Sequence, residues 1–172
     1  MKLSESPKDR PPSFEPVPPW RTRDLWRFET LLFPWPARFE VLHTDDPWFV
    51  LDGGHNPQCA AALRECLEHY FPDSKRVALV GVLKDKDYKS IAATLAPLFD
   101  ACVCVTPPSE RALPAEELAE LFKDSCREVC VVDTVEDGVD LARDIAQEQD
   151  AMVCAFGSLY ICGQIRSCFG LR

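Results

Sequence analysis

Hydrophobic and polar positions follow two different spacings along most of this chain. Short, nearly continuous apolar runs are typical of strands buried on both faces of a sheet, and a run of alternating residues is typical of an edge strand. Both kinds of segment occur, separated by turn-forming residues. The predicted strands cover residues 39–43, 48–52, 76–83, 101–105, 129–133 and 151–156.

Amphipathic segments with helical spacing lie between these strands. Asn56 followed by Pro57 is a strong helix start, and Thr134 with Asp137 resembles a capping box. The predicted helices cover residues 57–71, 88–98, 114–123, 135–148 and 158–169. Strand–helix alternation with apolar strands predicts an α/β fold, with a six-stranded, mostly parallel sheet covered by helices on both faces.

The loops that follow the strands carry the candidate chemistry. Right-handed crossovers place every strand-to-helix loop along one edge of a parallel sheet, where such sheets bind ligands. The sequence therefore predicts that Asp52, His55, Lys84 and Ser158 converge, although more than a hundred positions separate the first from the last.

The first 33 residues differ from the rest. Residues 1–20 hold six of the fifteen prolines, which favours a tail or linker, and residues 22–33 could form a short lead-in helix. We therefore divide the chain into an N-terminal tail with a lead-in helix, residues 1–33, and one folded domain, residues 34–172.

Composition narrows the possible partners. The net charge of −9 argues against nucleic acid and against an anionic membrane surface, because both favour clustered Lys and Arg. No apolar run is long enough to span a bilayer, and the first residues lack the apolar core of a signal peptide. These features predict a cytoplasmic protein without a nucleic-acid or membrane partner.

Nine cysteines raise the question of disulfides or a metal. No Cys-x-x-Cys pair occurs, and most of the cysteines lie within apolar strands or on apolar helix faces. We interpret them as reduced cysteines that act as small core residues, and we predict no metal site.

Five segments of the sequence occur together, and in this order, in a known family. They are residues 35–42, 51–57, 81–87, 105–114 and 156–160. The chain resembles the C-terminal domain of folylpolyglutamate synthases and dihydrofolate synthases, of the Mur ligase superfamily, over roughly residues 34–172. Five ordered motifs are more specific than any single one. The resemblance implies a Rossmann-like sheet.

The resemblance also implies an activity. These ligases use ATP and Mg²⁺ to convert a folate or dihydropteroate carboxylate into an acyl phosphate, which the amine of L-glutamate attacks. Their ATP and Mg²⁺ are held mainly by an N-terminal ATPase domain with a P-loop, and this sequence has no G-x-x-x-x-G-K-[ST]. The chain therefore resembles half of an enzyme, and we expect it to be inactive alone.

Two candidate residues are implied to face the nucleotide. Arg38 matches an arginine of the family that reaches the ATP phosphates, a role that suits a guanidinium. Asp52 matches an acid that contacts the nucleotide, but an Asp beside Gly also commonly caps a turn. Ala37 stands where the family usually has Gly, and it would be strained if that position needs a positive φ.

The remaining candidates are implied to face the substrate. His55 and Ser158 match residues assigned to glutamate binding and catalysis, so that Arg38, His55 and Ser158 are the candidate catalytic residues. Asn56, Lys84 and Tyr160 are candidate substrate contacts. A structural histidine, a helix cap at Ser158 and a solvated turn at Lys84 remain open alternatives.

Two other functions remain open. A muramyl peptide ligase shares the architecture, although residues 83–87 and 157–160 favour the folate enzymes. The chain could also be a non-catalytic binding module that keeps the fold without an ATPase domain. Whether the acceptor is dihydropteroate, a reduced folate or both also stays open.

Overall fold

The computed structural model of the protein describes residues 36–43 and 47–171. The predicted tail and lead-in helix, residues 1–33, lie outside this part of the chain. The strands are β1 (Glu40–His43), β2 (Phe49–Asp52), β3 (Lys75–Val80), β4 (Ala101–Val105), β5 (Glu128–Val132) and β6 (Ala151–Phe156). The helices are α1 (Pro57–Tyr70), α2 (Tyr88–Leu95), α3 (Ala115–Glu120), α4 (Val135–Gln149) and α5 (Leu159–Cys168).

The strands described form one six-stranded sheet in the order β1-β2-β6-β3-β4-β5. Only the pairing of β1 with β2 is antiparallel, so the predicted mostly parallel sheet is confirmed. At the carboxyl edge, Phe156 of β6 lies beside both Asp52 of β2 and Val80 of β3. The loops after these three strands therefore leave the sheet side by side.

Helices cover both faces of the sheet, as predicted. On one face α1, α2 and α3 pack against the sheet, and on the other face α4 and α5 do so. The strands β3, β4 and β6 are almost entirely buried, which explains their continuous apolar sequences.

Helix starts follow the capping chemistry of the sequence. The side chain of Asn56 accepts a hydrogen bond from the backbone N–H of Cys59 at 2.8 Å, and Pro57 occupies the first helical position. Thr134 accepts from the N–H of Asp137 at 3.0 Å. The Asp137 carboxylate accepts from the Thr134 hydroxyl, because Asp is too short to complete a capping box at the backbone.

Three elements end three residues earlier than the sequence predicts, and the other ends agree to within one residue. The third strand ends at residue 80, because the backbone of Val82 and Lys84 instead bonds to residues 111–113. The helix predicted over 88–98 changes to a 3₁₀ turn at Ala96–Leu98, where Pro97 lacks an N–H. The next helix is also shorter than predicted, and spans Ala115–Glu120.

The buried Arg76, on β3, forms hydrogen bonds with residues at the ends of neighbouring elements. The Arg76 guanidinium donates to the carbonyl oxygens of Phe71 at 2.6 Å and Leu98 at 3.3 Å, and the backbone N–H of Arg76 donates to Asp100. Phe71 follows the last residue of α1, so Arg76 supplies a donor to carbonyls at the end of that helix.

The nine cysteines are all free, and five of them are buried. Burial raises the pKa of Cys126 to about 11 and that of Cys162 to about 12. No helix within residues 36–43 and 47–171 is long and apolar enough to cross a membrane.

Candidate active site

A cavity of about 280 Å³ lies at the carboxyl edge of β2. Arg38, Asp52 and His55 all line it, so three of the predicted site residues are brought together. Part of its wall is formed by α1, where Cys59 and Cys66 contribute half-buried thiols, and Leu159 of α5 also lines it.

The Asp52 carboxylate is hydrogen-bonded through both oxygens. Oδ1 accepts from the N–H of Gly54 at 2.8 Å, and Oδ2 accepts from the N–H of Phe39 at 2.9 Å. Burial raises the pKa of Asp52, although these two hydrogen bonds and the nearby charge of Arg38 oppose the shift. Asp52 therefore caps its own turn and also joins that turn to residues 36–39. Its contact with a nucleotide stays a prediction.

Arg38 lies in a turn with an unusual backbone. Its neighbours Ala37 and Phe39 have φ angles of +59° and +45°, in the left-handed region that favours glycine. The expected strain at Ala37 is thereby confirmed. The backbone N–H of Gly53 donates to the Ala37 carbonyl at 2.6 Å, which fixes the turn against β2. Arg38 itself is exposed and lines the cavity.

His55 is oriented by the backbone. Its Nδ1 lies 3.1 Å from the carbonyl oxygen of Gly53, and a carbonyl can only accept, so this contact requires Nδ1 to carry a hydrogen. In a neutral ring the other nitrogen, Nε2, is then an acceptor. His55 also lines a second cavity, so its ring lies between the two.

The second cavity measures about 170 Å³ and lies between the start of α5 and the loop after β3. His55, Ser158 and Tyr160 line it, as do Lys86 and Arg111. Ser158 is buried, and its hydroxyl oxygen accepts from the N–H of Tyr160 at 3.1 Å, so the predicted helix-cap role is observed. A substrate contact by Ser158 stays a prediction.

The structure does not place Lys84 at either cavity. Its side chain is exposed, and its backbone N–H donates to the carbonyl oxygen of Arg111. The cation that lines the smaller cavity from this loop is Lys86. Asn56 likewise uses its side-chain oxygen to cap α1, although it lies next to His55.

Arg111 is a site residue that the sequence reasoning missed. It lies within the recognised segment 105–114, but only the folded chain brings that segment to the loop after β3. Its guanidinium donates to Asp85 at 2.9 Å and contacts the Tyr160 hydroxyl at 3.4 Å. Arg111 thereby links the loop after β3 to the first turn of α5 beside the smaller cavity.

The cavities favour anions, although the whole chain is acidic. The N-termini of α1 and α5 lie beside the two cavities, and helix N-termini attract negative charge. Arg38, Lys86 and Arg111 add three cationic side chains at the same edge. A ligand with carboxylate or phosphate groups is therefore the chemical class that this surface suits.

Comparison with known proteins defines the class. Residues 37–159 match the family described as Mur ligase, glutamate ligase domain, and the chain belongs to this family. The matched region contains the turn with Arg38, the loop with Asp52 and His55, and the start of α5.

Individual relatives are folate enzymes. The chain is 34% identical, over 151 residues, to the dihydrofolate synthase/folylpolyglutamate synthase of Mycobacterium tuberculosis. That alignment covers 78% of this chain and 30% of the relative. The chain is also 33% identical, over 137 residues, to the folylpolyglutamate synthase of Lacticaseibacillus casei. That alignment covers 77% of this chain and 29% of the relative.

A solved structure supports the same assignment. The Mycobacterium tuberculosis folylpolyglutamate synthase complexed with ADP and AMPPCP superposes with a TM-score of 0.74 at 30% identity, over 80% of this chain and 33% of that one. The chain therefore spans about a third of the length of these relatives and corresponds to their C-terminal domain.

Proposed function

We propose that this chain is the glutamate-ligase domain of a two-domain, ATP-dependent ligase that joins L-glutamate to a carboxylate of folate or dihydropteroate. One observation carries the proposal: two adjoining cavities at the carboxyl edge of the sheet share His55. One cavity holds Arg38 and Asp52, and the other holds Lys86, Arg111 and Ser158. A ligation needs such neighbouring sites for an activated acid and an amine.

The larger cavity is assigned to the phosphate side of the reaction. ATP, when bound, supplies the phosphoryl group that activates the carboxylate. Arg38 would neutralise phosphate charge with a guanidinium that stays protonated, and Asp52 retains lone pairs for ribose hydroxyls. Within the described residues, no group of three or more Asp, Glu, His or Cys side chains is placed to hold a metal ion. We assign Mg²⁺ to the ATPase domain.

The smaller cavity is assigned to the amino acid. Lys86 and Arg111 would hold carboxylate groups, and the Ser158 hydroxyl can donate a hydrogen bond while its oxygen caps α5. The His55 Nε2 can accept a hydrogen bond from the attacking amine, because Nδ1 is occupied at Gly53. His55 would therefore orient the amine toward the phosphate side.

A second domain completes the proposal. Leu159 and Tyr160 are 59% and 46% exposed and lie next to each other at the rim of the smaller cavity. A P-loop ATPase domain that closes over this rim would cover them and exclude water from the reaction.

The test uses the chain fused to the P-loop domain of a relative such as the Mycobacterium tuberculosis enzyme. We expect ADP release that depends on glutamate and on either folate or dihydropteroate, and no activity from the chain alone. Arg38→Ala should lower kcat about a hundredfold, or about 3 kcal/mol, by analogy with the loss of an oxyanion donor. His55→Ala should mainly raise the apparent KM for glutamate.

The matched control is Arg64→Ala. Arg64 is an exposed arginine on α1 that pairs only weakly with Glu68 and lines neither cavity. Unchanged kinetics in Arg38→Ala or His55→Ala would remove that residue from the site. A fusion that folds but never ligates glutamate to either acceptor would refute the proposed function.

A further inference from the structure

The turn that carries Arg38 is strained and must be held by its surroundings. Ala37 and Phe39, on either side of Arg38, both adopt positive φ without being glycine. Such a backbone persists only where neighbouring contacts fix it. The direction of the Arg38 side chain therefore depends on the groups that hold its two neighbours.

Two of these holding contacts come from the loop after β2. The N–H of Gly53 donates to the Ala37 carbonyl, and the N–H of Phe39 donates to Asp52. They fix one side of the turn. A third contact comes from the other side, where the N–H of Ala37 donates to Oε2 of Glu40 at 2.8 Å.

Glu40 is itself held by a distant residue. Its Oε1 accepts a hydrogen bond from the guanidinium of Arg166, which lies 126 positions away in the last turn of α5. The two side chains are only 19% and 14% exposed, so solvent screens their attraction little. Neither residue lines either cavity.

We propose that Glu40 and Arg166 are a positioning pair that fixes the turn of residues 36–39 and thereby aims Arg38 into the larger cavity. Arg166 orients the Glu40 carboxylate, and Glu40 holds the N–H of Ala37. The effect on the order of the turn follows from these contacts alone. The effect on catalysis rests on the proposed function.

Amide hydrogen exchange of the full chain, measured by NMR, tests the positioning directly. Glu40→Ala should speed the exchange of the Phe39 and Gly53 amides at least about tenfold, because both take part in hydrogen bonds of the turn. The amide of Val103, in the middle of the sheet, should be unchanged. Glu40→Gln keeps an acceptor for Ala37 but loses the charge, and should give a smaller increase.

The control for these variants is Glu68→Ala, which removes an exposed carboxylate from α1 and should change none of the three amides. Unchanged exchange at Phe39 and Gly53 in Glu40→Ala would overturn the proposal. An equal increase at Val103 would also overturn it, because the pair would then stabilise the whole domain rather than the turn.

The fused ligase gives a second readout. Glu40→Gln should lower kcat about tenfold with an unchanged KM for glutamate, the pattern expected of a lost transition-state contact. In an Arg38→Ala background the same change should have no further effect, because the pair acts through Arg38. Additive losses would contradict this. If the fusion has no ligase activity, the proposed function fails, while the exchange experiment still decides whether the pair orders the turn.

Discussion

Gly157 connects β6 to α5, and its replacement by alanine should strongly destabilise the domain. Its φ of +112° is a conformation that L residues rarely adopt, and an added Cβ would lie 2.7 Å from the Gly81 carbonyl oxygen and from Val82 Cγ1. The backbone strain costs about 1–3 kcal/mol, and the overpacking adds about 1–3 kcal/mol. The smaller entropy of the unfolded chain offsets about 0.5–1 kcal/mol.

The net expectation for Gly157→Ala is a loss of about 3 kcal/mol of unfolding free energy, which corresponds to a Tm lower by about 6–12 °C in a chain of this size. Gly163→Ala is the matched control. Gly163 lies within α5 with nothing near its absent Cβ, so alanine should stabilise the helix by about 1 kcal/mol.

Urea unfolding followed by circular dichroism measures both variants on the same chain. The two changes should shift the unfolding midpoint in opposite directions. A Gly157→Ala protein as stable as wild type would show that the loop relaxes without cost, and would refute the steric reasoning. If Gly163→Ala unfolded at as low a urea concentration as Gly157→Ala, the result would show instead that any added methyl group in this region is destabilising.

Two further predictions concern buried charge. Arg76→Met should cost about 3 kcal/mol, because it leaves the carbonyls of Phe71 and Leu98 without their donor, and Arg76→Lys should cost less; urea midpoints measure both. Burial raises the pKa of Asp52 above 3.8, so its carboxyl stabilises the fold below that pH, and this contribution is lost as pH rises through the raised pKa. The unfolding free energy of wild type minus that of Asp52→Asn should therefore fall as the pH rises from 3.8 through the raised pKa.

Local chemistry explains why much of the fold could be predicted from the sequence. The caps at Asn56 and Thr134 involve residues three positions apart, and buried parallel strands are continuous apolar runs. The end of β3 could not be predicted in the same way. Val82 and Leu83 are as apolar as the strand, but the chain there leaves the sheet to bond with residues 111–113, and no local pattern indicates that partner.

The candidate site could likewise be predicted only in part from the sequence. Sheet topology was enough to bring together Asp52, His55 and Ser158, because each follows a strand at one edge. Lys84 lines neither cavity, so its substrate contact stays a prediction, and Arg111 was missed, because both positions depend on how a loop turns after it leaves the sheet. Lys84 and Lys86 are two positions apart in a mixed-charge segment, and only the fold shows that Lys86 lines the cavity.

The helix α5 has a mechanical consequence. Its N-cap, Ser158, lines the smaller cavity, its first residue, Leu159, lines both, and Arg166 near its end bonds to Glu40. Eight residues of helix span about 12 Å and behave as one stiff rod. We therefore expect a displacement at one end to be transmitted to the other, so that the two cavities keep their relative position when the domain moves. For the proposed ligase we therefore expect closure by rotation of the whole domain rather than by rearrangement inside it.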